Sequence, residues 1–134
     1  MNIVLDTNVF ISGIFFSGPP AQILRAWRES KIQILLSKAI LHEYQRVGEE
    51  LAVKYSAIDI EPIIGLLTLY GEVVETKNIS VSVCAEPGDN KFIECALAGN
   101  CKVVVSGDKH LLHISGYQGI EVVKPRGFID IYLK

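Results

Sequence analysis

The stretch MNIVLDTN, residues 1–8, determines how the rest of the chain is organised. Its apolar residues predict a buried strand, and Asp6 stands where that strand ends. The stretch KVVVSGD, residues 102–108, repeats the pattern late in the chain and ends in Asp108. Parallel neighbouring strands would aim both carboxylates into one crevice, at the sheet edge where open α/β sheets bind ligands.

The composition is that of one globular domain spanning residues 1–134, with 49% hydrophobic residues. We expect a cytoplasmic protein without a membrane span, because no apolar run approaches ~20 residues and no signal peptide is evident. The three cysteines, Cys84, Cys95 and Cys101, lack metal-ligand spacing and are interpreted as reduced core thiols. The net charge of −2 argues against binding nucleic acid by bulk charge.

Strand and helix patterns alternate along the chain. The predicted strands are 1–5, 32–36, 73–74, 79–83, 102–106 and 120–123. The predicted helices are 21–30, 38–55, 59–70, 90–98 and one that begins at Pro125. This alternation predicts a three-layer α/β/α sandwich around a central, mainly parallel sheet.

Two further carboxylates belong to apolar helix faces. Glu43 lies three residues after Ile40 and four before Val47, and Asp89 shares a face with Phe92. Gathered together with the two strand-end acids, they would repel one another and raise each other's pKa. A divalent cation removes that cost, and a set of oxygen ligands suits Mg²⁺ or Mn²⁺.

Four segments together resemble a PIN domain in their order and spacing. They are residues 6–8 (DTN), Glu43, residues 86–96 (EPGDNKFIECA) and residues 105–112 (VSGDKHLL). The resemblance covers nearly the whole chain and is to prokaryotic PIN proteins related to the VapC toxins. It implies Mg²⁺- or Mn²⁺-dependent cleavage of RNA that leaves a 5′-phosphate. The acidic cluster it implies is Asp6, Glu43, Asp89 and Asp108, with Thr7, Asn8 and Ser37 as supporting polar residues near the metal.

The site type implies metal-assisted hydrolysis without a protein nucleophile. Glu43 would be a ligand or the base that orients the attacking water. Lys91, Lys109 and Arg46 are candidates for contacts to phosphate. Many relatives carry another acid where this chain has His110, so the number of ions stays open.

The resemblance also implies partners: an RNA substrate, an antitoxin protein laid across the site, and a second copy of the chain in a homodimer. The exposed apolar surface for these partners is expected on the predicted helices 21–30 and 59–70. There, Trp27 and Tyr70 are amphipathic side chains of the kind favoured at interfaces, although Trp27 also suits the core.

Each acid also has a simpler structural interpretation. Asp6 suits a local turn, Asp89 a helix N-cap, Asp108 a turn and Glu43 a salt bridge to Arg46. Their joint occurrence in one α/β pattern favours the acidic site. Glu94 lies partly off the apolar face and is either a supporting residue or solvated.

Two other functions fit part of the sequence pattern. A phosphotransferase of the haloacid-dehalogenase type needs a second Asp two residues after the first, where this chain has Asn8. A catalytically silent PIN-fold module that binds RNA or acts as a scaffold is the alternative from another class. Metal dependence separates these functions, because only an enzyme needs the ion to cleave RNA.

Overall fold

A five-stranded sheet, in which every pairing is parallel, forms the centre of the computed structural model, which describes residues 1–134. The strands are β1 (Asn2–Leu5), β2 (Gln33–Leu36), β3 (Glu72–Val73), β4 (Val103–Val105) and β5 (Glu121–Val123). The helices are α1 (Thr7–Phe15), α2 (Pro19–Arg28), α3 (Lys38–Lys54), α4 (Glu61–Tyr70), α5 (Asn90–Ala98), α6 (Lys109–His113) and α7 (Pro125–Tyr132). These helices flank the sheet, which confirms the predicted three-layer sandwich.

The strand order β3-β2-β1-β4-β5 creates a switch point beside β1. The chain passes from β1 to β2 on one side and later returns to β4 on the other. Leu5 stands opposite Val105, and the Asp6 N–H extends this pairing by donating to the Val105 carbonyl at 3.0 Å. The residues that follow β1 and β4 therefore emerge side by side, at the position where doubly wound sheets place their ligands.

Local sequence signals explain where several helices begin. The Pro19-Pro20 pair forms the start of α2. Proline has no backbone N–H, and this is tolerated in the first turn because N–H groups there have no hydrogen-bond partner within the helix. The Ser37 hydroxyl caps α3 by accepting a hydrogen bond from the Ile40 N–H at 3.3 Å. Pro62 falls in the first turn of α4, the position that its ring geometry requires.

Helix α1 was not predicted from the sequence. Its buried side chains include Val9, Phe10 and Ile11 in succession, so the apolar run obscures the helical period. Phe10 stacks on Tyr44 of α3 with ring centroids 4.2 Å apart. This packing ties the segment after Asp6 to the helix that carries Glu43.

The prediction of a strand at residues 79–83 is wrong, because this segment has no regular secondary structure. Its amides bond to side chains of α5 instead of a strand: the Val81 N–H donates to Glu94 at 3.0 Å. Just beyond it, the Cys84 N–H donates to Asn90, also at 3.0 Å. The alternation of apolar residues indicated a strand, but the sheet ends at the two-residue β3.

The proposed interface role of Trp27 is also wrong, because its side chain is only 5% exposed and belongs to the core. Tyr70, by contrast, is 65% exposed. All three cysteines are free, with Cys95 and Cys101 buried. No helix combines the length and apolar character needed to cross a membrane.

Candidate active site

Asp6 is the most enclosed acid of the site, with 6% exposure directly after β1. Its carboxylate accepts a hydrogen bond from the Ser106 hydroxyl at 2.7 Å. Burial is the main cause that raises the pKa of Asp6, and the negative charges of Asp108 and Glu43 raise it further. The Ser106 hydroxyl and the Asn8 backbone N–H act in the opposite direction.

Asp108 connects to the same hydroxyl from the end of β4. Its backbone N–H donates to the Ser106 oxygen at 3.0 Å, so Ser106 joins the two strand-end acids. One carboxylate oxygen of Asp108 accepts from the His110 N–H at 2.8 Å and caps α6. Asp108 is therefore the side-chain cap of α6 rather than only a turn residue, and this structural role coexists with its position beside Asp6.

Asp89 occupies the N-cap position of α5, yet its side chain makes no capping hydrogen bond. The simple interpretation of this residue as a cap is therefore wrong. Burial, followed by the charges of Asp6 and Asp108, raises the pKa of Asp89 to about 6, while Lys91 opposes the rise. Asp89 therefore lies close enough to Asp6 and Asp108 for their charges to act on its carboxyl group.

Glu43 extends from α3 towards residues of α1 and α5. Its Oε2 accepts a hydrogen bond from the Thr7 hydroxyl, and its Oε1 accepts one from Lys91 Nζ at 3.0 Å. Arg46 Nη2 lies 3.9 Å from Oε1 of Glu43, whereas Arg46 Nη1 donates to Glu50 Oε1 at the shorter distance of 3.1 Å. The expected link to Arg46 is thus present, and Thr7 and Lys91 are the closer partners.

The four acids repel one another, as the raised pKa values of Asp6 and Asp89 indicate. No group of three or more Asp, Glu, His or Cys side chains is closed into an arrangement that could hold a metal ion. The donor chemistry nevertheless fits a hard divalent cation, because the four side chains would offer only carboxylate oxygens as ligands.

The polar residues named from the sequence divide into two groups. Thr7 and Ser37 are buried, and Thr7 contacts Glu43 while Ser37 caps α3. Asn8, Lys109 and His110 are exposed. Glu94 tethers Val81 and is therefore a supporting residue of the segment that leads to Asp89, rather than a solvated one.

An open cavity of about 510 Å³ lies on the outer side of Glu43. Basic side chains at its wall are His42, Arg46 and Lys91, alternating with Glu49. The acidic centre thus borders a recess whose wall carries Arg46 and Lys91 together with Glu43 and Glu49.

Comparison with known proteins supports the family suggested by the sequence. The PIN domain family matches residues 2–110, which is most of the chain. The chain belongs to the PIN domain family. PIN domains are generally nucleases, so a hydrolase activity follows at the level of the family.

The chain is also similar to individual proteins. The chain is 33% identical over 147 residues to Uncharacterized protein MJ1680 of Methanocaldococcus jannaschii, covering 100% of this chain and 93% of the relative. It is also similar to the crystal structure of VapBC2 from Rickettsia felis bound to a DNA fragment from their promoter. That similarity has a TM-score of 0.52, 14% identity, and coverage of 92% of this chain and 98% of the other, and it supports the VapC-like fold.

Two residues of the PIN domain's site were missed by sequence reasoning. Ser106 was interpreted only as the end of a strand, although it immediately precedes Gly107-Asp108 and joins Asp6 to Asp108. Tyr44 is fully buried, and its hydroxyl donates to the Leu5 carbonyl at 2.5 Å. The neighbouring positions of Glu43 and Tyr44 on α3 gave the only signal for this anchor.

Proposed function

We propose that this PIN domain is a Mg²⁺- or Mn²⁺-dependent endoribonuclease and the toxin of a toxin–antitoxin pair. The observation that carries the proposal is that Asp6 and Asp108 share the Ser106 hydroxyl at the switch point of the sheet, with the charges of Glu43 and Asp89 acting on the same cluster. Buried like charges without a structural purpose are expensive, and perturbed carboxylates in a crevice favour a functional site.

The roles of the acids follow from their positions. Asp6 would be the central ligand, because it lies at the end of β1 and shares the Ser106 hydroxyl with the Asp108 backbone. Asp89 and Asp108 would bind the ion directly or through water, since Mg²⁺ keeps several of its waters. A bound ion would supply charge neutralisation and a water of lowered pKa for in-line attack on the phosphodiester.

Glu43 is the residue placed to handle the attacking water. Thr7 holds one of its oxygens, and Lys91 holds the other. A carboxylate fixed in this way suits a base that orients water, or a further ligand. Arg46 and Lys91 line the adjoining cavity and would receive substrate phosphates, while exposed Lys109 would contact the strand further along.

A cleavage assay with purified protein tests this function. Labelled single-stranded and structured RNAs would be incubated with Mg²⁺, with Mn²⁺ and with a chelator. We expect metal-dependent cleavage that falls on the order of 100-fold or more in Asp6→Asn. Asp130→Asn removes the same charge from an exposed surface pair with Lys134 and should cleave normally.

The outcome also separates the rival module. RNA that is bound but left intact with either metal would favour the silent RNA-binding or scaffold function. Cleavage that persists fully in the chelator would contradict a metal-dependent enzyme. Equal cleavage by parent and Asp6→Asn would remove Asp6 from the reaction.

We also propose that the toxin forms a homodimer in the cytoplasm and binds an antitoxin. Helix α4 exposes a row of apolar side chains: Leu66, Leu69 and Tyr70 are 38%, 75% and 65% exposed. The VapBC2 structure supports the antitoxin as a partner of proteins with this fold. Sedimentation at micromolar concentration should give a dimer, and Leu69→Glu should give a monomer with an unchanged fold. A monomeric parent would contradict the dimer.

A further inference from the structure

Lys91 places a positive charge inside the acidic cluster. Its Nζ donates to Glu43 Oε1 at 3.0 Å and to the Gly88 carbonyl, and its side chain is only 18% exposed. The charge also acts on Asp89, whose pKa it lowers. One ammonium group therefore balances part of the charge of two of the four acids.

The position of Lys91 has no explanation in local helix energetics. It lies in the first turn of α5, where the helix dipole disfavours a cation. A lysine at this position would be expected to extend into solvent, as exposed lysines generally do. Instead, its ammonium turns back to Gly88 and Glu43. Glu43 stabilises this inward conformation, together with the Gly88 carbonyl and the Phe92 ring, whose centroid lies 5.3 Å from Nζ.

The ammonium uses an oxygen that a metal ion also needs. Glu43 has two carboxylate oxygens, and Thr7 occupies Oε2 while Lys91 occupies Oε1. A divalent ion that binds Glu43, or that lies near both Glu43 and Asp89, must therefore displace the Lys91 ammonium or bind in spite of its repulsion. Two cations at such short range repel each other strongly in a partly buried site.

We propose that Lys91 is a built-in counterion that neutralises the acidic cluster until a divalent ion binds, and that it thereby sets the ion concentration at which the site is loaded. This role rests on the proposed nuclease function. It makes Lys91 a positioning residue: it fixes Glu43 in the metal-free protein and opposes the entry of the ion.

Titration calorimetry with MnCl₂ tests the role without measuring activity. Lys91→Met keeps an unbranched stem that matches the four carbons of lysine and removes the charged ammonium group. We expect the dissociation constant for Mn²⁺ to fall about fivefold, the equivalent of ~1 kcal/mol. Lys91→Arg keeps the charge and should not bind the ion more tightly than the parent does.

Lys102→Met is the matched control. Lys102 is exposed and directly precedes β4, so its removal changes the net charge equally at the opposite edge of the sheet. Its dissociation constant should stay within about twofold of the parent's, because exposed charges more than ~10 Å from the ion are largely screened.

Thermal melting in a chelator supplies the second readout. Lys91→Met should melt below the parent, by roughly 3 °C, because Glu43 loses its closest cation. Saturating Mn²⁺ should then raise its melting temperature by more than it raises that of the parent. Lys102→Met should show neither effect.

The outcomes separate the two proposals. If the parent binds Mn²⁺ and Lys91→Met binds it equally or more weakly, the counterion role is overturned and the nuclease proposal stands. If the parent binds no Mn²⁺ or Mg²⁺, the metal-dependent function fails, and the loading role fails with it. Tighter binding by Lys91→Met alone supports the role.

Discussion

Replacing Asp6 by Asn should stabilise the metal-free protein. Asp6 is buried, and the raised pKa means that its ionised form is less favourable in the folded than in the unfolded chain. At an effective dielectric of ~20, repulsion from Asp108 and Glu43 costs on the order of 1–2 kcal/mol each. Asn relieves this repulsion and weakens the charge-assisted bond from Ser106 by about 1 kcal/mol.

The net gain is about 1–3 kcal/mol, which corresponds to a rise of roughly 4–11 °C in melting temperature for a domain of this size. Differential scanning calorimetry in a chelator at pH 7 would measure the rise. Asp130→Asn is the control and should stay within about 0.5 kcal/mol of the parent. Mn²⁺ should raise the melting temperature of the parent but not that of Asp6→Asn. A fall of several degrees in metal-free Asp6→Asn would refute the reasoning, because Asp6 would then stabilise the fold.

Three further measurements examine neighbouring residues. Folding raises the pKa of Asp89 from 3.8 to about 6, so the free energy of unfolding of the metal-free protein should fall as pH rises between these values. Calorimetry at a series of pH values should show this fall in the parent and a flatter profile in Asp89→Asn. Tyr44→Phe removes the hydroxyl that donates to the Leu5 carbonyl at 2.5 Å, and it should lower the free energy of unfolding in denaturant by about 1–2 kcal/mol. The exposed control Tyr70→Phe should lower it by less than ~0.5 kcal/mol. Glu94→Ala should speed amide exchange at Val81 and leave exchange at Ile3 in the central strand unchanged; equal protection of Val81 in parent and variant would show that Glu94 does not tether the segment.

The strand ends were predictable because their positions depend on short-range patterns. Apolar runs set β1 and β4, and each run ends in a residue leading to a carboxylate. The alternation of elements predicts parallel pairing, and parallel strands place their carboxyl ends together. The sequence alone could therefore predict that Asp6 and Asp108 lie side by side, because their proximity depends on the direction and register of β1 and β4.

The errors arose where tertiary contacts override a local pattern. Residues 79–83 alternate like a strand, but Glu94 and Asn90 on α5 satisfy nearby amides that a neighbouring strand would otherwise have paired. Trp27 was offered as an interface anchor because its chemistry suits one, yet packing buries it in the domain's own core. The sequence gives the type of each side chain, but it does not show whether the packing of helices on the sheet buries or exposes that side chain.

The partners of Glu43 show the same limit at the site. Sequence spacing offered Arg46, one helical turn away, while the closer cation is Lys91, 48 residues along the chain. Helix α3 supplies the carboxylate and α5 the ammonium, so the pair exists only after both helices pack together. The identity of this cation has a chemical consequence. Arginine would grip both oxygens of Glu43 in a planar fork, whereas lysine is a compact, strongly hydrated charge on a flexible stem. A lysine therefore leaves the carboxylate at a smaller cost, which suits a contact that must yield when an ion binds.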